Sequence, residues 1–326
     1  MACFPSDDVW QIQDPVDGGW NMGRLDDLVA WAGENSTAQF VILQNGRRLV
    51  DVSFDPAPVD VFAVQKGLFS LLVSIAEHRG LFTRDDCVAD VLGAGWTNLP
   101  LSLERSISIR RVLTMTTGMA DDLSAFGEIG RSYRYNNVAY NYLKQMLCAL
   151  VGCGLNELTT TWLTESLGMR HTRWLDRDVL LPNGSAMTGL QSTAQDLSRL
   201  GLMVLNNGQW AGAQVLPDPA WLSDMVAPGS ADNPAWGYLW WNNSQDSFRM
   251  PMNETKRFEG PPIPAAPSDL VMTRGAHGNH VGIVPSLNLV VARTARSETA
   301  STFEREVWQR LLAARVQGSV EEQQDG

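Results

Sequence analysis

A lysine one helical turn beyond the first residue of a buried helix is a plausible proton acceptor, and residues Phe62-Ala63-Val64-Gln65-Lys66 present that spacing. Apolar residues Leu68, Leu71, Leu72, Ile75 and Ala76 repeat on one face of a helix expected over Val64–Gly80. Positions 63 and 66 then share a face, one turn apart. Position 63 sits where free backbone N–H groups favour developing negative charge. A hydroxyl there, with a desolvated lysine one turn on, would be an activated nucleophile. The residue present is alanine, which has no nucleophilic atom.

The elements that must position this pair can be read from periodicity. A helix is expected around Arg24–Ala32, followed by a hairpin, Gln39–Leu43 and Arg48–Ser53, turning at Asn45-Gly46. Helical spacing covers Ile109–Met115, Val138–Val151, Leu155–Leu167 and Ala194–Asn206. Residues 227–267 are rich in Pro, Asn and Ser around an aromatic knot, Trp236-Gly237-Tyr238-Leu239-Trp240-Trp241, and suggest loops and short strands. Strand signals return at Leu270–Thr273, His280–Val284 and Leu287–Thr294, before a last amphipathic helix over Thr302–Arg315. The pattern implies an α+β fold with an antiparallel sheet closed by both ends of the chain. Residues 1–60 and 255–326 would form the α/β lobe, and 61–254 a mainly helical lobe with cleft loops, within one domain.

Several motifs in this order resemble the serine β-lactamase/penicillin-binding-protein-like family, on its class C β-lactamase, carboxylesterase and nylon-oligomer hydrolase side. Ala63-Val64-Gln65-Lys66 matches the S-x-x-K motif in everything but the serine. The stretch from Ile107 to Met119 is similar to "ITIRHLLTMTSGL", and Tyr135-Asn136-Asn137 fits Y-x-N. Leu167-Gly168-Met169-Arg170-His171-Thr172 resembles "LGMxxT", and the stretch from Gly189 to Leu197 resembles "GLxSTAxDL". The third motif, K-T-G or H-x-G, has its counterpart in Arg274-Gly275-Ala276-His277-Gly278, without a Lys-Thr-Gly. The matches span about residues 37–315.

The resemblance implies acyl transfer through an acyl-enzyme on an ester, amide or lactam. Lys66 and Tyr135 would share proton transfer, and Asn137 would orient Lys66 or the substrate amide. The backbone N–H of Ala63, with one from Gly275, His277 or Gly278, Gly278 or its neighbour first, would bind the oxyanion. No cofactor or metal is implied. Ala63 is either an engineered Ser→Ala change or a natural nucleophile-less state. The intact Lys66, Tyr135 and Asn137 favour the former, because a buried amine without a role costs stability. The alternative is a non-catalytic protein that binds ligands in the same cleft.

Composition bounds the partners. The sum of 25 Lys+Arg and 36 Asp+Glu gives a net charge of −11, which argues against nucleic acid and an anionic membrane surface. Met1 to Asp14 show no basic and apolar signal segment, so a cytoplasmic chain acting on a small-molecule acyl substrate is expected. That expectation, with the missing Lys-Thr-Gly, points away from β-lactam hydrolysis. Cys3, Cys87, Cys148 and Cys153 lack metal-ligand spacing and are expected reduced. The polar tail Gly318–Gly326 is expected to fray. Twelve Trp against five Tyr suggest an aromatic-lined pocket, with Trp236, Trp240 and Trp241 as candidate walls.

Overall fold

The computed structural model describes residues 3–5, 9–251, 253–298 and 302–316; the tail from Gly318 lies outside them. Its centre is a six-stranded antiparallel sheet. Across it run Arg47–Ser53, Thr37–Gln44, Leu289–Ala295, His280–Val284, Val271–Arg274 and Trp241–Asn242. The N-terminal hairpin thus pairs with the C-terminal strands, as the two patterned ends require. Its turn is made by Asn45 and Gly46, both at positive φ (54° and 75°), which suits the right-handed twist of the flanking strands.

The central strands are buried and mostly apolar because helices cover both faces. Every residue of Leu289–Ala295 is buried. The Ala194–Leu205 helix lies on one face, where Gly201 comes so close to Val290 that a β-carbon would sit 2.6 Å from its Cγ1. Gly282 pairs with Val291, so it faces the other side, and there it meets Trp308 of the Phe303–Ala313 helix, 2.8 Å from a β-carbon position. The Met22–Glu34 helix packs beside that terminal helix, with Trp31 stacked on Phe303 at 4.8 Å.

The helix expected over Val64–Gly80 runs Gln65–His78, preceded by a single 3₁₀ turn, Phe62–Val64. It is an interior helix, buried from Gln65 to Ala76 all round. Thr273 donates to Val64 O at 3.0 Å, and Gly67 allows Thr273 to pack directly on the helix backbone. The Val271–Arg274 strand and the helix start are therefore locked together.

Two departures from the expected elements stand out. The helix expected over Leu155–Leu167 is divided by a π turn at Thr160–Thr164. A second, three-stranded sheet joins Val59–Asp60, Ala186–Ser192 and Arg173–Leu180. Its last strand, with Arg173, Asp176, Arg177 and Asp178, is mostly solvent-facing and gives no apolar alternation to read. As expected for residues 227–267, short strands occur there: Ser247–Met250 pairs with Asn253–Glu259. Among the described residues no helix is long and apolar enough to cross a membrane, and no group of three or more His, Cys, Asp or Glu side chains could hold a metal ion. The four cysteines are free thiols.

Candidate active site

Ala63 sits in a tight elbow. Phe62, just before it, has φ +50°, a left-handed conformation rare and strained for an aromatic residue. Several contacts hold it there. Asp60 Oδ1 accepts from Phe62 N at 2.8 Å and from Arg177 Nη2 at 2.7 Å. The Phe62 ring packs edge-on against His277 at 4.8 Å, with the Arg177 guanidinium 5.2 Å away. Gly275 completes the elbow. A β-carbon on it would lie 2.3 Å from Val61 O and 3.1 Å from Ala63 N, so only glycine lets the strand end approach residue 63 so closely.

Lys66 lies one turn on, 2 % exposed. Its Nζ donates to Asn137 Oδ1 at 2.8 Å and stands over the ring faces of Tyr135 and Tyr140, 4.6 and 4.4 Å from their centroids. Burial, reinforced by the positive charge of Arg177, lowers its pKa from the usual lysine range to about 7. An amine poised near neutrality can take up a proton and return it. Burial pushes the Tyr135 phenol the other way, well above its ordinary range.

Tyr135 and Asn137 are positioned from behind. Asn136, between them, is fully buried; it accepts from Ala139 N at 2.8 Å to cap the Asn137–Val151 helix and donates to Ala120 O at 2.9 Å. Arg134 N donates to Met115 O, which ties this turn to the segment after the Ile109–Leu113 helix. Asp196 accepts from His171 N and Thr172 Oγ1 at 2.7 and 2.8 Å.

Ala63 and Tyr135 border a cleft of about 520 Å³. Ala63, Tyr135, Trp241, Gly275, His277 and Gly278 line it, with Met250, Phe303, Arg274 and Glu304 on the outer wall. Arg274 Nε donates to Glu304 Oε1 at 2.9 Å, so that wall carries an internally neutralised ion pair. Buried Lys66 and its exposed partner Asn137 do not line this cleft themselves; Ala63 and Tyr135 do.

The tryptophan expectation needs correction. Of the three, only Trp241 lines the cleft. Trp240 is a core residue, wholly buried, its indole N–H donating to Gly67 O at 3.2 Å. Trp236 is 2 % exposed and sits behind the wall; its N–H donates to Leu113 O and its ring supports Tyr135 at 5.7 Å and Trp241 at 5.0 Å. Alternation along the chain separates Trp240 from Trp241, and the cleft took the latter.

Two residues of the site escape sequence reading. Arg177 comes from the charged strand described above and bears on Lys66, Phe62 and Asp60 together. Lys144 is a second buried lysine, donating to Gln65 Oε1 at 2.9 Å and Thr188 Oγ1 at 2.6 Å, with its amine over Tyr140 at 4.5 Å. Burial and the neighbouring Lys66 hold its pKa well below the usual lysine range. Lysine inside a helical pattern ordinarily signals a solvent-facing position, so no signal marked it.

The comparisons with known proteins bear on the family and the fold. A family profile described as beta-lactamase matches residues 18–315. No curated protein matches the chain. Among solved structures, a candidate beta-lactamase from Bacteroides dorei DSM 17855 is 15% identical, with a TM-score of 0.71 over 91% of this chain and 100% of that one. A candidate 6-aminohexanoate-dimer hydrolase from Bacillus anthracis is 17% identical, with a TM-score of 0.67 over 96% and 87%. EstCE1, a hydrolase with promiscuous acyltransferase activity, is 14% identical, with a TM-score of 0.65 over 89% and 98%. At such identities these structures bear on the fold alone. With the profile spanning nearly its whole length, the chain belongs to the beta-lactamase family of hydrolases.

Proposed function

We propose that the cleft is the acyl-substrate site of a serine hydrolase or acyltransferase, with residue 63 as the nucleophile position, and that Ala63 leaves it able to bind but not to acylate. The observation that carries this reading is the buried Lys66 amine, poised near neutrality and hydrogen-bonded to Asn137 beside the residue-63 elbow.

A serine at 63 would attack the carbonyl carbon of an ester, amide or lactam. Its proton would pass to the Lys66 amine, directly or by way of Tyr135, and then to the leaving oxygen or nitrogen as that bond breaks. The acyl group would remain on the serine until water or another nucleophile displaced it. The N–H of residue 63 and one from His277 or Gly278 are the proposed oxyanion donors, the Gly275 N–H being engaged with Asn279 O at 2.7 Å. Alanine keeps the backbone donor and lacks the oxygen. The aromatic and apolar wall of Tyr135, Trp241, Met250 and Phe303 suits an apolar or planar acyl group carried by a small molecule.

The test is Ala63→Ser exposed to a fluorophosphonate, with intact-mass detection of one added phosphonyl group. Absence of both adduct and ester turnover would count against the reading. Ala63 itself favours a second one, a natural non-catalytic protein that uses the same cleft for binding. A serine codon at position 63 in the source gene would end it.

A further inference from the structure

A second cavity, of about 450 Å³, shares no lining residue with the acyl cleft. Arg105, Arg110, Arg111, Ser106, Ser108 and Thr116 line it, closed by Asp85 and by Gly130 and Gly229. Three guanidinium groups against one carboxylate make this wall cationic in a chain whose net charge is −11.

The three arginines are not equivalent. Arg110 is spoken for: Asp85 accepts from its Nε and Nη2 at 2.6 and 2.7 Å, and its remaining Nη1 donates to the Tyr238 hydroxyl. Arg111 is held in place by a neutral group, donating from Nη1 to Ser106 O, and among the described residues it pairs with no carboxylate. Its Nε lies 3.4 Å from where a β-carbon on Gly130 would stand, so glycine there leaves this edge of the guanidinium open. Arg105 is exposed and likewise has no carboxylate partner among the described residues. Ser108 Oγ accepts from Arg111 N, which leaves its own O–H free to donate. Forked donors on Arg105 and Arg111, neither bonded to a carboxylate although Asp85 acts on Arg111 at longer range, together with the Ser108 hydroxyl of the same cavity, match a tetrahedral dianion. Clustering like charges costs free energy that such a dianion would offset.

We propose that this cavity binds a phosphoryl group, either free phosphate or one carried on a small molecule. The inference stands on its own geometry and does not depend on the acyl-transfer reading.

The test is calorimetric titration of the chain as it exists with inorganic phosphate and with phenyl phosphate, at ionic strength matched by sodium chloride. Saturable one-to-one binding of either probe is expected, with the two competing. The tighter probe distinguishes a free ion from an esterified ligand as the occupant. Arg111→Gln and Arg105→Gln should each weaken binding about tenfold, the size of one lost charge-assisted hydrogen bond. Arg105 is exposed, so its replacement leaves the fold intact even if Arg111→Gln does not. No saturable binding of either probe, or affinity unchanged in Arg105→Gln, would overturn the proposal.

Discussion

The Lys66 amine and the Asn137 carboxamide oxygen meet at 2.8 Å across 71 positions of sequence. That contact joins the interior helix to the head of the next long helix and fixes the amine beside residue 63. Asn137 supplies one acceptor and the rings of Tyr135 and Tyr140 supply their faces, all of which favour the charged amine. Burial and Arg177 outweigh them, so the amine is poised near neutral pH.

In the Ala63→Ser background, labelling by a fluorophosphonate should follow the free amine. Its rate is expected to rise with pH through a midpoint near 7 and to level off above it, in line with a Lys66 pKa of about 7. Lys66→Met should cut the rate by about a hundredfold or more, the usual contribution of a positioned base. A rate flat between pH 5 and 9 would separate Lys66 from the proton transfer.

The same shift predicts a stability signature in the chain as it stands. Lys66 has a folded pKa of about 7 against 10.5 for an unperturbed lysine, so between those pH values the unfolded chain holds a proton that the folded chain lacks. Stability from this group therefore rises with pH across that window and is lowest below it. Lys66→Met should be more stable than its parent at pH 6, by a few kcal/mol at most, with the advantage shrinking towards pH 10. Paired urea titrations at the two pH values measure it; an advantage constant with pH would contradict the assigned burial effect.

Gly275→Ala tests the elbow. The new methyl would press on Val61 O and Ala63 N, and both are backbone. Overpacking of this kind costs about 1–3 kcal/mol. The separable expectation is catalytic: in the Ala63→Ser background, labelling should fall about a hundredfold, the scale of one lost oxyanion donor. Thermal melts and labelling rates together distinguish a local displacement from general unfolding.

The adjacent tryptophans should behave oppositely. Trp240→Leu removes a fully buried indole that donates to Gly67 O and should cost about 3 kcal/mol of stability or more. Trp241→Leu changes the cleft wall and should weaken binding of 4-nitrophenyl butyrate severalfold, read by tryptophan quenching. Equal effects of the two on affinity would remove Trp241 from the cleft.

The hairpin at Asn45-Gly46, the helix that carries Lys66 and the strands Val271–Arg274 to Leu289–Ala295 were all legible in the sequence, because their apolar periods and turn residues agree with burial. Lys66, Tyr135 and Asn137 stood out as candidates only through the resemblance of their motifs to the family's, since each alone reads as an ordinary surface or packing residue. Arg177 and Lys144 were not legible. Arg177 lies on a strand without alternation, and Lys144 is buried only because Gln65, Thr188 and the Tyr140 ring satisfy it from distant parts of the chain. The tryptophans show the remaining limit. Their number suggested an aromatic pocket, yet the packing of Trp236 and Trp240 against the Leu113 and Gly67 carbonyls is a tertiary fact that composition does not contain.

The central claim is that residue 63 is the missing nucleophile position, and the Ala63→Ser exchange tests it most directly. Intact mass spectrometry after fluorophosphonate treatment should show one adduct on Ala63→Ser, mapped to residue 63, and none on the chain with alanine. An unlabelled Ala63→Ser protein with native stability, or an adduct on any other residue, would contradict the account.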